Sequence, residues 1–393
     1  MSTNDAWLLP EGIEELLPPQ AERLERLRRE LIDQLHSWGY ELVVPPLIDY
    51  LESLLTGTGN DLKLQTFTLT DQISGRLMGI RADMTPQVAR IDARQLGRDT
   101  PSRLCYLGTV LHTRPDGFAG GRSPLQCGAE LYGSDTVESD IEVIRLMLAT
   151  LEKTGIKAVH LDLAHVGIFR GLVQQAGLDA QQEAQLFDAL QRKAVPEING
   201  LFDEWALDAP QATMLRALVD LNGGDEVLDE AAEVLAPASE AVRAALEDLR
   251  QIATSLKNYL PNMPLFFDLA ELRGYHYHTG VMFSAYLPGH GQAIAWGGRY
   301  DDIGRIFGRA RPATGFSTDL KQLVLLTDNQ AEVVDRIFAP VNTDTALQEK
   351  IAALRAQGER VVCELPGQQG GASEMGCSRK LEQHNGQWEV VSV

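Results

Sequence analysis

The chain has 393 residues, 44% of them hydrophobic, which is enough for two or three domains and at least one full-sized core. Its 35 Lys and Arg face 55 Asp and Glu, a net charge of −20 with no visible basic footprint, which argues against nucleic acid as the main partner. The longest apolar runs fall far short of a membrane span, and the N-terminus lacks the basic-then-apolar pattern of an export signal, so a cytoplasmic, membrane-free protein is expected. Cys105, Cys127, Cys363 and Cys377 lie far apart and form no Cys-x-x-Cys pair. That spacing speaks against a zinc site or a disulfide framework, and neither a metal nor a cofactor is expected.

In chain order, Leu24, Leu27, Leu31 and Leu35 recur at helical spacing between Pro18-Pro19 and Gly39, which predicts an amphipathic helix over 20–38. Tyr40 to Val44 reads as a strand that ends at Pro45-Pro46. Alternation around Phe67-Thr68-Leu69 and Arg76-Leu77-Met78 predicts a hairpin. Arg81-Ala82-Asp83-Met84-Thr85-Pro86 then leads into a helix. Asp83 and Thr85 suit the capping of that helix, and equally the holding of an ammonium group, since both offer acceptor oxygens. Residues 103–133 read as a strand, a Gly-rich loop and a second strand. On the second strand Gln126 and Glu130 face one side, either as an exposed face or as a pocket wall. A helix over 137–154 and a strand over 158–163 follow.

Residues 165–260 change character. Helical stretches alternate with Pro196, Pro210, Asn222-Gly223-Gly224 and Pro237, and sixteen acids against seven Lys and Arg give the block a charge of −9. A helical insertion is expected here. Next come strands at 265–269, 281–286 and 292–296, expected as an antiparallel meander. Between the first two lies Arg273-Gly274-Tyr275-His276-Tyr277-His278-Thr279-Gly280, and after the third Gly297-Gly298-Arg299-Tyr300-Asp301. A cation, two phenols and two imidazoles in one turn are the composition of a small-ligand pocket. The tail, 327–393, reads as one helix (345–357), a strand (360–365), a Gly-rich loop and a final hairpin through Trp388, with ten acids against six Lys and Arg.

Arg-Gly-x-x-Tyr-x-Thr-Gly followed by Gly-Gly-Arg-Tyr-Asp resembles the histidine-specific signature of histidyl-tRNA synthetases, and the resemblance extends over about residues 10–326. It implies an α+β fold: a class II aminoacyl-tRNA synthetase-like antiparallel sheet flanked by helices, with the insertion at about 165–260 and a small, truncated α/β C-terminal domain. It also implies residue roles. Asp83 and Thr85 match the pair that holds the amino group of the bound amino acid. Gln126 and Glu130 match the residues lining the histidine pocket, and Arg273 the Arg at the carboxylate. Tyr277 matches the first pocket Tyr, while His278 stands for the second and Tyr275-His276 for a Leu-Asp pair.

Other positions depart from the synthetases. Aligned on Arg114-Pro115, the Arg that grips the α-phosphate of ATP and its neighbouring Glu are replaced by Leu111 and Thr113. In the third motif, Gly-Leu-Glu-Arg becomes Asp319-Leu320-Lys321-Gln322, so a second ATP-handling Arg is gone. An apolar or neutral side chain cannot offset triphosphate charge, and Asp319 adds repulsion. Binding without chemistry is implied, as in a related family, the regulatory subunits of short-form ATP phosphoribosyltransferases. That resemblance implies a non-catalytic subunit in histidine biosynthesis, self-associating as a dimer through the first helix and strand. It further implies a hetero-octamer with the short catalytic subunit and L-histidine as feedback effector. An active histidyl-tRNA synthetase, with Arg114 or Arg122 as the substitute cation, and a stand-alone histidine-binding module are the alternatives.

Overall fold

The helical spacing of Leu27, Leu31 and Leu35 becomes helix α1 (Gln20–Ser37), and all three leucines are buried. Each fully buried leucine contributes roughly 1.5–3 kcal/mol relative to an exposed one. The computed structural model describes residues 7–55, 60–115, 121–275, 277–327 and 335–393. Most of the Gly-rich loop expected within 103–133, and His276, lie outside the described residues. The chain divides into two compact units, residues 1–328 and 329–393.

After α1 come β1 (Glu41–Leu42), β2 (Ile48–Tyr50), α2 (Leu51–Leu55), α3 (Asn60–Gln65), β3 (Phe67–Thr70) and β4 (Leu77–Ile80). β3 and β4 form the expected hairpin, and β2 completes a small sheet in the order β2-β4-β3. Helix α4 (Thr85–Arg90) runs on into a π-helical segment, Ile91–Leu96. β5 (Ser102–Thr109) and β6 (Leu125–Tyr132) pair antiparallel, followed by α5 (Val137–Lys153) and β7 (His160–His165). The insertion holds α6 (Val166–Ala176), α7 (Ala180–Gln191), α8 (Val195–Glu204), α9 (Ala209–Ala217), β8 (Asn222–Gly223), α10 (Glu226–Val234) and α11 (Glu240–Tyr259). Pro196 and Pro210 open helices here, because the first turn needs no N–H from them. The unit closes with β9 (Leu265–Asp268), β10 (Val281–Tyr286), β11 (Ala293–Arg299), α12 (Ile303–Ile306), β12 (Ala313–Asp319) and α13 (Leu320–Leu326).

Nine strands form one sheet in the order β1-β5-β6-β12-β11-β10-β7-β9-β8. The expected meander is corrected here. β10 and β11 do pair antiparallel, but β7 lies between β9 and β10, antiparallel to β10 and parallel to β9. The link from β9 to β10, residues 269–280, is far longer than a tight hairpin loop, so nothing local forces those strands to be neighbours. One face of the sheet packs on α1, α5, α6 and α11 around Phe283, Phe316, Leu161 and Leu163. The other face carries Glu130, Gly128 and Gln126 on β6 and, in register with them, Gly315, Ser317 and Asp319 on β12.

The second unit contains β13 (Arg336–Ala339), α14 (Thr345–Ala356), β14 (Arg360–Cys363), β15 (Arg379–His384) and β16 (Gln387–Ser392), with sheet order β14-β13-β15-β16. β13 and β14 are parallel across α14, and β15–β16 is the expected final hairpin. No helix among the described residues is long and apolar enough to cross a membrane.

Candidate functional site

Glu130 lies buried on the sheet face opposite α5 and α11, 1% exposed. Its carboxylate accepts hydrogen bonds from the Tyr106 hydroxyl at 2.9 Å, the Thr85 hydroxyl at 3.1 Å, and the Tyr300 hydroxyl. Burial pushes its carboxyl up to about 8, against the opposing pull of these hydroxyls and with a smaller push from Asp83. Desolvation also holds Tyr106, Tyr132, Tyr277 and Tyr300 well above the usual phenol range, so all four stay neutral. Gly315 stands opposite Glu130 on β12. A Cβ there would lie 1.5 Å from Glu130 Oε2, so only glycine lets the carboxylate lie across the strand. Gly298 on β11 continues the same row, and the His278 ring lies over it.

The second wall is the loop before α4. Asp83 Oδ1 accepts from the Thr85 backbone N–H at 3.1 Å and its hydroxyl at 3.2 Å. Gln126 Nε2 donates to the same oxygen at 2.7 Å, while Gln126 Oε1 accepts from the Met84 N–H at 2.9 Å. Asp83 thus bonds the first residue of α4 and presents a half-buried carboxylate. The Asp83 carboxylate, the remaining acceptor capacity of the buried Glu130 carboxyl and a set of neutral hydroxyls can receive hydrogen-bond donors such as an ammonium or an imidazole N–H.

The loop of 269–280 supplies the third wall. Tyr277 stacks on Tyr300 with ring centroids 5.0 Å apart, and meets His278 edge-on at 5.3 Å. Among the described residues, the Tyr277 hydroxyl and His278 Nδ1 are buried with no hydrogen-bond partner. Burial pulls the His278 imidazole down to about 4, so it is neutral. The structure thus brings together Asp83, Thr85, Gln126, Glu130, Tyr277 and His278. Arg273 points elsewhere: its guanidinium is exposed, donates to Glu271 at 2.8 and 3.0 Å, and reaches the Tyr286 hydroxyl at 3.4 Å.

The positions matched to ATP handling are occupied by other work. Thr113 donates to the Leu64 carbonyl at 2.5 Å. Asp319 caps α13 by accepting from Lys321 N at 3.0 Å, and also accepts from Leu125 N at 2.9 Å. Gln322 bonds the His290 ring at 3.0 Å. Arg122 is committed to the His112 and Glu11 carbonyls, each at 3.0 Å. No metal-ligating cluster is found among the described residues.

Sequence reasoning missed Tyr106, Tyr132 and Tyr300, the phenols around Glu130. Tyr300 was in view as part of the Gly-Gly-Arg-Tyr-Asp run. Tyr106 shares strand parity with a residue paired to Glu130, a signal visible only once β5 and β6 are in register. The buried ion pair of Arg299 with Asp140, 2.9 Å, was also missed; it ties β11 to α5 behind the pocket.

The model of histidyl-tRNA synthetases matches residues 12–323, and that of the ATP phosphoribosyltransferase subunit HisZ C-terminal domain matches residues 334–391. The chain is 60% identical to an ATP phosphoribosyltransferase regulatory subunit of Thioalkalivibrio sulfidiphilus, over the full length of both. It is 59% identical to another of that name from Pseudomonas syringae pv. syringae, again over both full chains. Among solved structures, an ATP phosphoribosyltransferase regulatory subunit/histidyl-tRNA synthetase from Bacillus halodurans superposes with a TM-score of 0.82 at 28% identity, covering 95% of this chain and 97% of that one. A histidyl-tRNA synthetase from a Nostoc species shares the fold, with a TM-score of 0.78 at 19% identity over 98% and 97% of the two chains.

Proposed function

The chain belongs to the ATP phosphoribosyltransferase regulatory subunits, a family on the histidyl-tRNA synthetase fold, and we propose that it senses L-histidine and passes feedback inhibition to a short-form catalytic partner. Its full-length relatives are named as regulatory subunits. The observation that supports the histidine reading is the buried Glu130 carboxyl, ringed by the Tyr106, Thr85 and Tyr300 hydroxyls, beside the Asp83–Gln126–Thr85 network. The positions matched to ATP handling carry Leu111, Thr113, Asp319 and Gln322.

In this proposal the imidazole of histidine donates to Glu130 and lies against Tyr277, with His278 behind it. The ammonium group takes Asp83 and Thr85, with Gln126 orienting Asp83. The carboxylate draws Arg273 from Glu271, a guanidinium fork being suited to a carboxylate. Histidine regulates only if it binds one arrangement of the assembly better than the other. The assembly we propose is a cytoplasmic hetero-octamer with the short catalytic subunit, which needs this subunit for full activity. This chain dimerises within it through α1 and β1.

Isothermal titration tests the proposal. Histidine should give a saturable heat and ATP none. Clear ATP–pyrophosphate exchange with histidine would overturn the reading in favour of a working synthetase.

A further inference from the structure

The sheet face that carries Glu130 can be followed outward from the pocket strand by strand. Glu130 lies across Gly315 of β12, and the Tyr106 ring lies over Gly128, two residues before Glu130 on β6. Gly128 pairs with Ser317 on β12, and Ser317 with Trp296 on β11. Trp296 is two residues from Gly298, the glycine beneath the His278 ring, so its indole stands on the same face, roughly 7 Å along the strand. Burial falls off in that direction: Glu130 is 1% exposed, Ser317 6% and Trp296 43%. Trp296 is thus the first side chain of its row to reach solvent. Past it the row continues through Ser284 on β10 to Asp162 on β7.

We propose that Trp296 is a specificity-determining residue: its indole is the end wall of the pocket on the carboxyl side of the ligand and restricts the pocket to the free amino acid. In the reading above the imidazole reaches Glu130 and the ammonium reaches Asp83, which Gln126 holds at 2.7 Å. Gln126 and Glu130 stand at the two ends of a short stretch of β6 with Gly128 between them. A ligand spanning those anchors lies alongside Gly128 and Ser317, and its carboxyl end faces β11. There it meets the indole. Gly128, Ser317 and Ser284 are small, so the indole is the one bulky side chain in the row between the Tyr106 ring and Asp162. A group joined to the ligand's carboxyl would have to take the indole's place or pass over it toward an acidic side chain. Specificity against a larger competitor is obtained by such a clash. This inference rests on the histidine reading above.

The test uses the full chain and three probes: L-histidine, L-histidinamide and L-histidine β-naphthylamide. Both amides lack the carboxylate and differ in bulk, so the ratio of their dissociation constants isolates the wall. By titration calorimetry the wild type should bind the naphthylamide at least tenfold more weakly than histidinamide. Trp296→Ala should bring the two within about threefold, and Trp296→Phe should keep most of the discrimination. L-Histidine itself should bind Trp296→Ala within about tenfold of wild type, since the exposed indole is not part of the core. Fluorescence gives a second readout that needs only histidine: the ligand should change the tryptophan emission of the wild type, and Trp296→Phe should lose more than half of that change. Equal discrimination in wild type and Trp296→Ala, or an emission change that Trp296→Phe leaves intact, overturns the wall while histidine binding stands. Absence of histidine binding in the wild type overturns the sensor reading and this inference with it.

Discussion

Replacing Glu130 by Gln should reverse the order of stability of the two proteins between mildly acidic and alkaline pH. In the folded chain burial raises the Glu130 carboxyl from 4.5 to about 8. Between those values the folded state holds a proton that the unfolded state has released. Stability therefore falls as pH rises from about 4.5 to about 8, by up to about 1.4 kcal/mol per pH unit. Over the full window the loss approaches roughly 5 kcal/mol, order of magnitude only. Gln carries no such titration. Its Oε1 can still accept from Tyr106 and Thr85, while its amide replaces the oxygen that accepts from Tyr300. That exchange costs on the order of 1 kcal/mol at any pH. Wild type should thus be the more stable protein near pH 5, and Glu130→Gln the more stable near pH 9. Urea unfolding followed by far-ultraviolet circular dichroism at pH 5, 6, 7, 8 and 9 measures the difference directly. A difference that stays flat, or moves in favour of wild type as pH rises, would refute the claim that Glu130 is held protonated by burial.

Gly315→Ala should weaken histidine binding at least tenfold by titration calorimetry, because its Cβ would fall 1.5 Å from Glu130 Oε2 and displace the carboxylate. Wild-type affinity in this variant would mean that Glu130 does not touch the ligand. Arg299→Met should lower unfolding stability by about 3–5 kcal/mol, since it leaves Asp140, 4% exposed, as an uncompensated buried charge; a loss under 1 kcal/mol contradicts the buried pair. Under native conditions a thiol reagent should label Cys363, which is half-buried, ahead of Cys105 and Cys127. Those two thiols are buried and pushed up to about 12, and mass spectrometry should find them modified only after unfolding.

Much of the architecture is written in short-range pattern. Helices α1, α5 and α11 and the strands β5, β6, β10 and β11 follow from periodicity and from Gly and Pro punctuation, which act over a few residues at a time. The candidate pocket was partly legible for the same reason. Asp83 with Thr85, and Gln126 with Glu130, are spaced closely enough that a single loop or strand presents each pair together. What lay beyond pattern was adjacency between distant segments. Nothing in residues 265–286 says that β7, about a hundred residues earlier in the chain, will pair with β10 and separate it from β9. Nor does any local signal gather Tyr106 and Tyr300 onto one carboxylate, or turn Arg273 onto Glu271 instead of into the pocket. By itself the sequence determined the family and the helical insertion, because periodicity and side-chain chemistry at a position need no geometry to be read. Tertiary structure alone decided the strand order and the raised carboxyl of Glu130. Both depend on which surfaces are removed from water together, and that is a property of the packed chain and not of any stretch of it.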